Sequence, residues 1–101
     1  MPATSDLDVT ALNARVTGTV QGVGFRWFAR ETAAAHGVSG WVRNRFDGSV
    51  EAELHGPDRD VAAVLSALRE GPPHAVVDRI ATTPIPVPPR RPHGFEIRAT
   101  V

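Results

Sequence analysis

Residues 20–26 read Val-Gln-Gly-Val-Gly-Phe-Arg, a stretch whose types and spacing suit the holding of an anion. Two glycines two residues apart allow unusual backbone angles and remove side chains that would block close approach. Where such a stretch enters a helix, unpaired N–H groups and the positive end of the helix dipole face the loop. Arg26 then falls in the first helical turn, and its planar fork can pair two oxygens of a phosphate. An ordinary glycine turn is the competing reading of Gly22 and Gly24. The dinucleotide fingerprint does not fit, because its third glycine would fall at Trp27, and the phosphate-loop lysine pattern needs a Lys that the chain lacks. A second candidate is Asn44, whose amide can offer a donor and an acceptor to one water. Asn44 can equally serve to cap the turn that follows it.

Those residues must be positioned by elements that the hydropathy pattern outlines. Ala14, Val16, Gly18 and Val20 alternate with Arg15, Thr17 and Thr19, a period of two that predicts a strand from Leu12. Phe25 to His36 lacks Gly and Pro and carries apolar residues at helical spacing, with Gly37 as its terminator. Strands are expected over Gly40–Asn44 and Ser49–His55, joined by a hairpin at Asp47-Gly48. Val50, Ala52 and Leu54 should point one way, with Glu51 and Glu53 facing solvent. Pro57-Asp58 opens a second helix with the stripe Val61, Val64, Leu65 and Leu68, and Gly71-Pro72-Pro73 ends it. A fourth strand over Val76–Thr82 and a closing strand over Phe95–Val101 flank residues 84–92, a loop that holds five of the nine prolines. The order predicts an α+β fold, the ferredoxin-like βαββαβ sandwich, with two helices packed on one face of a mostly antiparallel sheet.

With 101 residues the chain is long enough for one domain, read as residues 12–101 preceded by a flexible tail over residues 1–11. There are no cysteines and the formal net charge is zero. Disulfides and thiolate metal sites are thereby excluded, and the charge balance argues against a nucleic-acid partner. No apolar run approaches a membrane span and the N-terminus lacks a secretory pattern, so the expectation is a cytoplasmic monomer with no membrane partner. His36, His55, His74 and His93 are scattered with no metal-ligand spacing, so no metal and no cofactor is expected. Asp58 and Asp60 suit a helix start, and Trp27 and Phe28 should include a core anchor. All eleven basic residues are Arg.

Together "TVQGVGFR" at 19–26 and "GWVRNRFDGSVE" at 40–51 resemble the paired signatures of the acylphosphatases. Arg26 and Asn44 are 18 residues apart, as in that family's pattern. "HGP" at 55–57, "GPPHAVV" at 71–77 and "GFEI" at 94–97 follow in the family's order, so the resemblance runs from Leu12 to Val101. It implies a metal-independent hydrolase that cleaves the carboxyl–phosphate anhydride of small acyl phosphates and releases inorganic phosphate. Carried over residue by residue, Arg26 binds the phosphoryl group and Asn44 orients the attacking water. Backbone N–H groups of Gln21, Gly22, Val23, Gly24, Phe25 and Arg26 complete the cradle. The alternative is a non-catalytic phosphate-binding module, similar to the acylphosphatase-like domain of hydrogenase-maturation carbamoyltransferases; the chain's ending after the last strand favours the free-standing enzyme. An RNA-recognition role would need exposed aromatics where the strands carry Arg15, Thr17, Thr19, Glu96, Arg98 and Thr100. Residues 84–92 could also be a proline-rich ligand for another domain, though a connecting loop is the simpler reading.

Overall fold

Strand β1 (Val9–Thr19) sets the two-sided character of the molecule: Leu12, Ala14 and Val16 are buried under the helices, while Asn13 and Arg15 point to the other face. The computed structural model describes residues 8–101. The expected tail therefore divides. Residues 1–7 lie outside the described residues, whereas Val9–Ala11 belong to β1, where they pair with Pro57–His55 of β3.

After β1 come α1 (Phe25–Ala35), β2 (Ser39–Asn44), β3 (Val50–Pro57), α2 (Asp58–Glu70), β4 (Val76–Pro84) and β5 (Phe95–Ile97). The sheet order is β4-β1-β3-β2-β5. β3 lies antiparallel between β1 and β2, so β1 and β2 run parallel with a strand between them, and α1 is their crossover. β4 pairs antiparallel with β1, and β5 pairs parallel with β2. The sheet is thus mixed at one edge and antiparallel elsewhere, with the ferredoxin-like connectivity.

The core lies between this sheet and the helices. α1 contributes Phe25, Ala29 and Ala33, one residue per turn, and α2 contributes Val61, Val64 and Leu68. They meet Val16, Val42, Val50, Ala52 and Leu54 of the strands. Deleting a side chain such as Leu68 from a core of this density costs about 2–5 kcal/mol. Asp58 and Asp60 occupy the first turn of α2, where carboxylates favour the dipole. Phe28 packs against the core and Trp27 does not.

Two strand readings need correction. The alternation over Phe95–Val101 predicts a long closing strand, but β5 spans only Phe95–Ile97. Residues 98–101 still follow the end of β2, with Arg98 N donating to Val42 O and Val101 N to Asn44 O, so the edge frays from ladder geometry while keeping its attachment. Glu51 does not face solvent either. It is 7% exposed, because Asn13, Arg43 and Arg45 from neighbouring positions close over its carboxylate. Asn13 Nδ2 donates to Glu51 Oε2 at 2.8 Å, and Arg43 Nε and Arg45 Nη1 reach Oε1 at 2.9 and 3.0 Å. Period two tells which face a side chain occupies; it does not tell what covers that face.

Candidate active site

Between β1 and α1 the chain cannot continue either pattern. Gly22 and Gly24 both take left-handed angles, φ 76° and 77°, which a β-carbon would strain. Gly24 is the N-cap of α1 and offers no side chain to the first turn. Phe28 N is satisfied by Gly24 O at 3.0 Å. No protein acceptor among the described residues takes the N–H groups of Gly22 to Arg26. A helix start normally satisfies such donors with a Ser, Thr, Asp or Asn side chain. Here they stay open, at the positive end of the dipole, with no acidic residue in the first turn.

Phe25 is the anchor that fixes this turn. Its ring is buried against the core and meets Phe28 edge-on, with centroids 6.2 Å apart. One residue on, Arg26 projects into a cleft of about 250 Å³ that Gly22, Gly24 and Asn44 also line. Asn44 arrives from the end of β2, opposite Val50 in the β2–β3 ladder. Neither the Arg26 guanidinium nor the Asn44 amide has a hydrogen-bond or ion-pair partner among the described residues. Two polar side chains 18 residues apart in sequence thus share one cleft. Gln21 and Val23 do not line it.

The Gln21 side chain makes bonds outside the cleft that sequence reading missed. Its side-chain Nε2 donates to Arg45 O at 2.7 Å and to Ser49 O at 2.9 Å. Those two carbonyls bracket the β2–β3 hairpin, which Arg45 N itself closes on Ser49 O. The loop before α1 is therefore tied to the residue that follows Asn44. The partners of the Gln21 amide lie 24 and 28 residues further along the chain, so no neighbouring residue signals the bonds.

The hairpin is rigid for a second reason. Asp47 Oδ1 accepts from Ser49 N at 2.9 Å and from Ser49 Oγ at 2.6 Å. These hydrogen bonds from Ser49, with the charges of Arg15 and Arg45, hold the Asp47 carboxyl below its ordinary value. The turn thus caps itself through Asp47, and the Asn44 side chain is left out of it.

This constellation coincides with a family match. The acylphosphatase family model matches residues 12–97. The chain belongs to the acylphosphatase family. An acylphosphatase of Rhodospirillum rubrum is 52% identical over 77 residues, which span 76% of this chain and 85% of that protein. The solved structure of an acylphosphatase from Coxiella burnetii is similar at a TM-score of 0.85 and 33% identity, over 91% of this chain and 95% of that one. The same fold recurs within a longer protein: full-length HypF, in a phosphate- and nucleotide-bound form, matches 92% of this chain with 12% of its own length, at a TM-score of 0.81 and 29% identity.

A larger cleft of about 600 Å³ opens at the opposite end of β2, among Ala34, Val38, Arg90, Arg91, His93 and Phe95. It contains neither acylphosphatase signature, and it lies at the C-terminal, negative end of α1, whereas the smaller cleft lies at the N-terminal, positive end. His55 is buried and bonded to Glu53 Oε1 at 2.8 Å, whereas His36, His74 and His93 are exposed and separate. Among the described residues no group of three or more His, Asp or Glu stands together as a metal site, and no helix is long and apolar enough to cross a membrane.

Proposed function

We propose that Arg26 and the open N–H groups of Gly22 to Arg26 hold the phosphoryl group of an acyl phosphate, and that Asn44 orients the water that attacks phosphorus. Hydrolysis of the carboxyl–phosphate anhydride is the activity of the acylphosphatase family, and this chain is a hydrolase of that class. The observation that carries the residue assignment is the shared cleft: a guanidinium and an amide without protein partners among the described residues line the same space as Gly22, Gly24, Phe25 and Arg26, whose backbone N–H groups have no protein acceptor there.

The chemistry needs little more. The water oxygen forms a bond to phosphorus as the bond from phosphorus to the carboxyl oxygen breaks. The leaving carboxylate is already a stable anion, so no strong general acid is required. The water proton passes to a phosphate oxygen, and the products are a carboxylate and inorganic phosphate. Positioning and charge stabilisation supply most of the rate in phosphoryl transfer. Arg26 places a charge where the equatorial oxygens accumulate theirs, and the N–H groups are fixed before the reaction begins. Gln21 keeps the hairpin, and so Asn44, in register with the loop.

The decisive experiment is a panel of acyl phosphates beside phosphate monoesters with EDTA present. Turnover of the acyl phosphates alone is expected. Failure on all of them, with inorganic phosphate still bound, would instead support a non-catalytic phosphate-binding module. The protein is read as a cytoplasmic monomer with neither metal nor cofactor, a reading that the cysteine-free, charge-balanced sequence supports; sedimentation checks the monomer, and activity that EDTA abolishes and Mg²⁺ restores would refute the metal-free reaction.

A further inference from the structure

We propose that Trp27 and Ile97 form a subsite for the acyl group, selecting acyl phosphates whose acyl part is apolar and uncharged, an aromatic ring above all; the proposal rests on the reading of Arg26 and its loop as the phosphoryl site. Among the aromatic residues of α1, Phe25 is buried and Phe28 packs against the core, but Trp27 is 59% exposed. Ile97, the last residue of β5, is 38% exposed. A lone exposed apolar side chain is ordinary on a protein surface. These two come from different elements and line the same cleft as Arg26 and Asn44.

Chain geometry gives the subsite its place. Trp27 follows Arg26 directly in the first turn of α1, so a phosphoryl group paired with Arg26 and the loop must send its acyl substituent past the neighbouring indole or out to solvent. Phe25 and Val20 complete the apolar part of the wall. An indole offers a broad, rigid face to a flat acyl group at small entropic cost. The charge pattern narrows the class further. Among the described residues lining the cleft, Arg26 is the sole charged one. An acyl group bearing a second phosphate or a carboxylate would find no further cation there, and an acyl group bearing an ammonium would find no carboxylate.

The test is the ratio of kcat/KM for benzoyl phosphate to that for acetyl phosphate in the wild type, Trp27→Ala and Trp27→Phe. Apolar pockets discriminate by about ten- to two-hundredfold per well-placed group, and a half-open shelf stands at the low end. Trp27→Ala should lower the ratio about tenfold, chiefly through KM for benzoyl phosphate, and Trp27→Phe should restore most of it. An unchanged ratio, or an equal loss on both substrates, would overturn the subsite. Inhibition by inorganic phosphate separates this from failure of the underlying reading. It should persist in Trp27→Ala and vanish in Arg26→Ala; its persistence in Arg26→Ala means that the phosphoryl site is misplaced, whatever the ratio does. Should Trp27→Ala not fold, wild-type indole fluorescence decides. Benzylphosphonate should perturb it and methylphosphonate should not, since the other indole, Trp41, is 9% exposed on the far face of the sheet; identical responses to the two would refute the proposal.

Discussion

The cleft of Arg26 and Asn44 and the helix-free face of the sheet are made from the same kinds of side chain and treat them in opposite ways. On the sheet face, Asn13, Arg43 and Arg45 converge on Glu51. Trp41 lies beneath two guanidinium groups, with Arg43 and Arg98 centred 4.6 and 5.0 Å from its ring. Arg98 in turn meets Glu96 at 2.8 Å. In the cleft, an arginine, an asparagine and an indole again lie close together, yet no carboxylate joins them. The first group pairs its charges on Glu51 and stabilises the sheet, with Arg45 Nε alone of these donors buried without a hydrogen-bond partner. The second leaves its donors unsatisfied and favours an anion. A guanidinium without a counter-charge beside a helix N-terminus is tolerable because the cleft is open to water; it becomes strongly attractive to a phosphoryl group for the same electrostatic reason.

Substitutions at the two arginine–amide groups should therefore separate activity from stability. The largest effect belongs to Arg26→Ala. A charge-assisted hydrogen bond contributes roughly 1.5–3 kcal/mol, so kcat/KM should fall at least about tenfold and further still if the contact strengthens in the transition state. Inorganic phosphate should cease to inhibit, and the thermal midpoint should hold, since Arg26 has no partner to lose among the described residues. Arg26→Lys should rescue little, because a point charge cannot reproduce the bidentate fork. Near-wild-type turnover in folded Arg26→Ala would place the active site elsewhere.

Asn44→Ala comes next. Loss of water orientation should lower kcat by about tenfold or more with phosphate inhibition retained. Parallel loss of phosphate affinity would mark Asn44 as a binding residue, and a fall in thermal midpoint without a kinetic defect would return it to turn capping, the role Asp47 performs in the structure.

Glu51→Gln reverses the pattern. It keeps the shape and removes the charge that Arg43 and Arg45 share, so it should cost about 1–2 kcal/mol of stability in denaturant melts, with kcat within twofold of wild type. A large kinetic defect at unchanged stability would mean that the two regions are coupled.

The smallest expected effect is the acid limit of the same network. Burial pushes the Glu51 carboxyl up, but hydrogen bonds from Asn13, Arg43 and Arg45 outweigh it and hold the group below its ordinary 4.5. The unfolded chain then takes the proton first. Stability from Glu51 is complete above about pH 4.5 and is lost as pH falls through the lower folded value. Melts from pH 7 to 3 should show the gap between wild type and Glu51→Gln closing at the acid end. A gap that stays constant would contradict the depressed folded value.

What the sequence determined by itself was periodic or local. Alternation marked β1 and β3, helical spacing marked Phe25, Ala29 and Ala33, and Asp47-Gly48 marked the hairpin, because each depends on neighbours a few residues away. The glycines at 22 and 24 and the arginine after them were legible as a turn into a helix start for the same reason, and the structure brings them into one cleft with Asn44. The tertiary structure decided what depends on distant partners. Glu51 carries the outward phase of its strand, and only the approach of Asn13 from β1 and of Arg43 and Arg45 from β2 and its hairpin buried it. Gln21 gives no local sign that it will span the loop and the hairpin through its side chain. The short β5 was set by how far the parallel edge of the sheet could keep its ladder against β2. Trp27 reads as apolar whether it enters the core or a cleft; the rotation of α1, with Phe25 buried beneath it, left Trp27 lining the cleft that Ile97 also lines.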